Sequence, residues 1–256
     1  MAASRGAKIG IVLVVLAVVL VGVLFVADRI AASTAQDRIT EETRKQLAAN
    51  SVTYEGDPSV KIAGFPFLTQ VIAGEYEKIT IGLTRPQIEK VNLETLTVDA
   101  KAVKADARDL MNGKGEVVAG EVTGQATMTW DNVRKLLEFT NLPQGVDPSA
   151  VDVKVVNNKI VLRIPFQYQG FKAIIIANGS MVVESGKVRL KLESVTTDQG
   201  DLPKIVNDLV QANKGRLQVT VKLPGLPYNL VINSAETTDS GLRVIASAKD
   251  VPLSSQ

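Results

Sequence analysis

The hydrophobic pattern changes period along this chain, and each change predicts a different element. Ile9 to Val26 is a run of eighteen uncharged, mostly large apolar residues. As a helix it would extend about 27 Å, close to the hydrocarbon thickness of a bilayer. Asp28 to Ala49 then holds no Pro or Gly and is rich in Ala, Arg, Gln and Glu. It reads as a second helical stretch whose few large apolar residues are Ile30, Ile39 and Leu47. Such a helix suits a stalk, or packs one face on a sheet.

From Ser51 the period becomes two. Ser59 to Phe67 reads as a strand ending at Pro66, and Lys78 to Leu83 follows. Leu96, Val98, Ala100 and Ala102 alternate with Thr97, Asp99 and Lys101, the pattern of a half-buried strand. Val118 to Trp130 alternates too, with Val118, Val122, Ala126 and Met128 on one side. Gly120 and Gly124 share that side, which points to a bend or a close approach. Asp131 to Phe139 reads as a short helix capped by Asp131, ended by the turn residues from Asn141. Val151 to Val156 and Lys159 to Tyr168 flank Asn157-Asn158 as a hairpin. Lys172 to Ala177, Ser180 to Glu184 and Val188 to Val195 read as strands, with Ser185-Gly186 a turn. Pro203 to Ala212 reads as a helix. Leu217 to Leu223, Leu230 to Ala235 and Leu242 to Ala248 complete the strands.

Strands cluster between helices and do not alternate with them one for one. The expected class is therefore α+β with mostly antiparallel sheets. The chain divides into residues 1–30, a membrane anchor or signal, and a domain at 31–256. Asn141 to Ser149 is the one candidate internal boundary, giving possible halves 31–145 and 146–256.

Charge sharpens this picture. The chain has 29 basic and 27 acidic residues, and Arg5 and Lys8, ahead of the apolar run, account for the whole excess. The remainder is neutral and shows no basic stripe, so a nucleic-acid partner is not expected. Arg5 and Lys8 place the N-terminus in the cytoplasm and the domain on the extracytoplasmic side. The length of the run favours an anchor. Small residues at Ala31, Ala32, Ser33 and Ala35 also allow cleavage as a signal after Ser33 or Ala35.

With no Cys and no His, Ser-His-Asp and Cys-His catalysis and the usual zinc sites are ruled out. No phosphate loop or nucleophile elbow occurs. Neighbouring carboxylates such as Asp106 and Asp109, or Glu41 and Glu42, read as solvated surface. A carboxylate enzyme would need two of them converging in a cleft. No enzyme activity, metal or cofactor is expected.

The apolar content is more informative. Ile160-Val-Leu162, Ile174-Ile-Ile176, Met181-Val-Val183 and Val71-Ile72 are apolar on both faces. Such strands are either covered by protein on both sides or line an apolar ligand cavity. Gly64-Phe-Pro-Phe67 and Gly225-Leu-Pro-Tyr228 share one pattern, with Arg163-Ile-Pro-Phe166 a looser echo. Each reads as a strand-edge turn tucking an aromatic ring into the core.

The stretch Ile62-Ala-Gly-Phe-Pro-Phe-Leu-Thr-Gln-Val-Ile-Ala-Gly74, with Tyr76 and Ile79-Thr-Ile81, resembles the actinobacterial LmeA-like phospholipid-binding proteins. The apolar leader followed by Asp28-Arg29, the run Gly225-Leu-Pro-Tyr-Asn-Leu-Val-Ile, and Asp239-Ser-Gly-Leu-Arg243 extend the resemblance over nearly the whole chain. It implies a non-catalytic phospholipid binder of the cell envelope, a lipid carrier supporting envelope lipid or lipoglycan maintenance. It also implies a fold similar to tubular lipid-binding proteins, with a curved antiparallel sheet around a long helix. On that reading Phe65, Phe67, Leu68, Val71 and Ile72 form part of an apolar cavity or its mouth. Phe166, Phe171, Ile174 and Ile176 line its opposite half. The competing expectation is a structural envelope module with a filled core and a protein partner.

Overall fold

The structure is a computed structural model that describes residues 5–106, 115–140, 147–157, 159–168, 170–198, 218–221 and 229–253, with Gly200, Lys204 and Leu226. The apolar run and the stretch after it form one continuous helix, α1 (Arg5–Ala49). Leu16 and the large apolar residues from Val18 to Val26 are each more than half exposed. Beyond them the helix turns one face inward through Asp28, Ala32, Ala35, Ile39, Thr43 and Leu47, the spacing of a packed stripe. Ile30 faces outward.

Strand β1 (Thr53–Ala63) runs along α1, and the Arg44 guanidinium meets Asp57 at 2.9 Å. The strand expected through Phe67 stops at Ala63. Gly64 adopts φ +93°, and Phe67–Ala73 forms a short helix, α2. The error has a physical source. Phe-Leu-Thr-Gln-Val-Ile-Ala is apolar enough for either element, and the deciding contact is remote. Pro66 occupies the N-cap position and offers no side-chain cap. The cap comes from α1: the Leu68 amide donates to Asp28 Oδ1 at 2.8 Å, across 40 residues of sequence. Asp28 is 2% exposed, and Arg29 donates to its Oδ2 at 2.5 Å. At the far end Gly74 takes the left-handed conformation at φ 67° and closes the helix.

The first sheet is antiparallel throughout. Its order is β1, β2 (Glu75–Ile88), β4 (Thr95–Ala105), β5 (Val117–Thr129), β13 (Gly241–Pro252) and β12 (Val231–Thr238), with β3 (Val91–Asn92) paired to β2. One line of irregularity crosses four of these strands. The register passes from Lys78–Lys101–Glu121–Lys249 to Tyr76–Val103–Ala119–Val251 and skips Glu77, Ala102, Gly120 and Asp250. Buried positions are therefore spaced three apart here, at Ala100 and Val103 and at Ala119 and Val122. Each strand carries one extra residue at the same level, which bends the sheet. Ala102 and Asp250 adopt positive φ. A Cβ at Gly120 would stand 3.3 Å from that of Ala102, closer than most side chains tolerate. The strict alternation expected from Val118 to Trp130 thus breaks at Gly120. Val118 pairs with Lys104, whereas Ala119 is fully buried.

Helix α3 (Trp130–Leu136) is shorter than expected and gives way to β6 (Leu137–Thr140). β6 opens the second antiparallel sheet, ordered β6, β11 (Gln218–Val221), β10 (Lys187–Thr197), β9 (Phe171–Glu184), β8 (Lys159–Tyr168) and β7 (Asp152–Val156). Val156 pairs with Lys159, the closure expected of the hairpin, and Asn157 adopts positive φ; Asn158 lies outside the described residues. The strands expected at Lys172 to Ala177 and Ser180 to Glu184 are one strand, β9. A Cβ at Gly179 would press on the Lys191 carbonyl, so glycine here allows close pairing and marks no turn. The helix expected at Pro203 to Ala212 lies outside the described residues.

The main core joins both sheets, from Leu93, Met128, Leu242 and Val244 to Ile160, Leu162, Met181, Val188 and Leu190. A second cluster, Ala100, Val103, Ala119, Val122 and Val251, sits at the bend.

Leu162 is 1% exposed within the main core. Leu162→Ala should cost about 2–5 kcal/mol of stability, read from the denaturant midpoint. The Asp28 cap carries a second expectation. Burial pushes this carboxyl up, but the Leu68 amide, the Arg29 guanidinium and the Phe67 amide outweigh burial and hold it below its ordinary value of 3.8. A carboxyl with a lowered folded pKa stabilises the docked helix above the unfolded value and loses that contribution as pH falls through the folded one. Exchange protection of the Leu68 amide should therefore persist at neutral pH and fall below pH 3.8. Asp28→Ala should speed that exchange roughly fivefold at pH 7 and remove its acid dependence.

Candidate functional site

Register decides which side chains share a face. On the inward face of the first sheet, Ile81, Val98, Gly124 and Ala246 form one cross-strand row. Ile79, Ala100, Val122 and Ala248 form the next row towards the bend. Leu83, Leu96, Ala126 and Val244 form the row towards the main core. The middle of this apolar face is incompletely covered. Ile79, Ile81, Val98, Gly124, Ala126 and Ala248 are only half-buried. A methyl added at Gly124 would meet no atom of the described residues within 4 Å. The floor is low because its central positions are Gly and Ala. The main core closes one end and the cluster at the bend closes the other. The result is an apolar trough about three cross-strand rows long.

The bend end of the trough leads to α2. Phe67 is buried, its ring centroid 6.2 Å from that of Tyr76, and Tyr76 packs on the cluster at the bend. Burial, then the charge of Asp106, raises the Tyr76 phenol, so it stays neutral. Gln70 Nε2 donates to the Ala63 carbonyl at 3.1 Å, and Gln70 Oε1 accepts from the Glu77 amide at 2.8 Å. These bonds pin α2 beside β1 and β2. Leu68 and Val71 are half-buried, whereas Phe65 is 62% exposed and Ile72 is 87% exposed. The expected group on Gly64 to Gly74 is therefore divided. Phe67 points into the domain, and Phe65 and Ile72 point away from it.

The second expected group lies on the other sheet. Phe166 pairs with Ala173, and both are buried on the core face. Ile174 and Ile176 are half-buried on the opposite face, where they pair with Pro165 and Arg163. The side chain of Phe171 lies outside the described residues. Phe166 and Ile174 both border a cleft of about 490 Å³ at the end of the β8–β9 hairpin, together with Asp147, Lys172 and Asp198. Its carboxylates are engaged locally. Asp147 Oδ1 accepts from the Ser149 amide at 2.9 Å, and Asp198 Oδ1 accepts from the Ile174 amide at 2.9 Å. No α2 residue borders this cleft.

A third recess of about 330 Å³ is polar, and Arg85 sits in it between Glu55 at 2.8 Å and Glu94 at 3.8 Å. Glu41 and Glu42 face solvent beside Arg44 and Lys45. Asp109 is outside the described residues. Among the described residues no cluster of carboxylates has the form of a metal site. Sequence reasoning gave no reason to single out the trough as a site. Its one signal was the Gly120 and Gly124 spacing, which the structure resolves into a bend and a floor.

The apolar part of α1 is long and apolar enough to cross a membrane, and it fits a signal peptide or a membrane anchor. No curated protein and no solved structure matched the chain. The profile of the LmeA-like phospholipid-binding family matches residues 26–247, from the last turn of the apolar run to the middle of β13. Over that span lie the Asp28 cap, α2 and most of the bend and the trough, and the chain belongs to the LmeA-like phospholipid-binding family.

Proposed function

We propose that this chain is a non-catalytic phospholipid-binding protein of the cell envelope, and that the trough on the first sheet receives acyl chain. The observation that carries the reading is the half-open apolar face over Gly124 in a chain of this family. Each buried methylene contributes about 0.8 kcal/mol, so an apolar face several strands wide is the feature that acyl chains need. α2, with Phe65, Phe67, Leu68, Val71 and Ile72, stands at the mouth. Of the group Phe166, Phe171, Ile174 and Ile176, Phe166 on the core face of the second sheet continues the path, and Ile174 and Ile176 face away from it. The architecture of long helix and curved antiparallel sheets suits a tubular lipid-binding fold.

The same geometry favours an uncleaved anchor. Cleavage after Ser33 or Ala35 would remove Asp28 and Ala32, both buried in the fold, and leave the α2 amides without their cap. The chain is then a tethered lipid binder on the extracytoplasmic side, suited to carrying envelope lipid over short distances.

Two measurements test this. The full chain, reconstituted in nanodiscs with a phospholipid bearing a photoreactive acyl chain, should cross-link on β2, β4, β5 and β13. Gly124→Val should remove those adducts. The substitution should leave stability unchanged or raise it by up to about 1 kcal/mol, because the site is open and Val suits a strand. Adducts confined to residues 9–26 would sink the reading. Separately, the mass of the mature chain from its native membrane should include residues 1–35. A chain beginning at 34 or 36 would show a diffusing protein.

A further inference from the structure

The exposed side chains of Phe65 and Ile72 lie outside the trough on one short segment, and Phe65 is continuous with another apolar surface. The Phe65 ring centroid is 5.6 Å from that of Phe25, in the last turn of the apolar run. The Arg29 guanidinium carbon stands 5.2 Å from the same Phe65 centroid. Gly64 to Gly74 carries no charged side chain. Single exposed apolar residues are ordinary on a soluble surface. Here Phe65 forms one patch with a helix already exposed and apolar for the length of a span.

We infer that α2 is an interfacial seat: Phe65 and Ile72 enter the headgroup–acyl boundary of the leaflet that α1 leaves. Three observations commit the patch to a lipid surface. It is joined to the apolar run through the Phe25–Phe65 contact. It lies where that run gives way to Asp28 and Arg29, the depth at which aromatic rings and cationic side chains gather in membrane proteins. It is also rigidly set, because the Asp28 carboxylate fixes the start of α2 and Gln70 fixes its middle. Short helices with one apolar face lie in this boundary at about 5–10 Å depth. Seated in this way, α2 turns the bend end of the trough towards the leaflet. The inference rests on α1 remaining attached.

The test places single tryptophans on the patch. Phe65→Trp and Ile72→Trp are made separately in the full chain, which has one native tryptophan, Trp130. Each is reconstituted in phosphatidylcholine–phosphatidylglycerol vesicles containing lipids brominated near the headgroup or near the chain end. Emission from the added tryptophan should be quenched on the order of threefold more strongly than that of Trp130, and most by the shallow bromines. Adding Asp28→Ala should reduce that quenching while α1 stays in the bilayer. Two results would overturn the seat. One is added emission that lipid bromines spare and aqueous acrylamide quenches. The other is emission that neither reaches, which would mean a protein cover. Because the chain is reconstituted whole, these outcomes are independent of the mature N-terminus. A cleaved leader in cells is read by mass and fails the anchor reading alone.

Discussion

The antiparallel register of the first sheet is the constraint on which the rest of this molecule depends. Side chains on a strand alternate between faces, so one residue of slip moves every apolar group to the other side. Here the alternation holds from Leu83 to Ile79 and from Leu96 to Ala100, and then shifts in four strands at one level. A shift in a single strand would have buried Lys101 or Glu121. Because Glu77, Ala102, Gly120 and Asp250 are skipped together, Tyr76, Val103, Ala119 and Val251 return to the inward face. The sheet keeps one apolar side through a bend, and that side carries both the second core cluster and the trough.

Much of this was legible from period alone. The α+β class, the antiparallel pairing and the turn between Val156 and Lys159 all follow from local pattern. The features that failed are those set by distant partners. Phe67 reads as the end of a strand and Val71-Ile72 as a doubly apolar one until Asp28, far away in sequence, supplies a helix cap that Pro66 cannot. Lys172 to Ala177 and Ser180 to Glu184 read as separate strands until the Lys191 carbonyl is seen to need the space that Gly179 leaves. Phe166 and Ile174 look like neighbours on one wall, but odd and even positions of a paired hairpin face opposite ways. Gly120 and Gly124 carried a real signal, but sequence could not tell a bend from a floor.

The trough also departs from what packing alone would choose. A well-filled sheet would place Val or Ile at the centre of its inward face, as Met128 and Leu242 fill the main core. At Gly124 no described residue fills that volume, although a side chain would fit. The proposed apolar guest would occupy it. The polar recess around Arg85 is the opposite case, with its charges already satisfied by one another.

α1 passes from the apolar run into the domain as one helix, and no Pro or Gly follows Gly22 within it. A flexible linker would let the domain ignore how the span lies in the bilayer. A continuous helix that stays as an anchor does not: tilt is one way it takes up a mismatch between apolar length and hydrocarbon thickness. The same angle is then imposed on the sheets packed against its second half. On the anchor reading membrane thickness thus becomes an orientation, and a thinner or thicker bilayer re-aims the domain as a lever is re-aimed at its fulcrum.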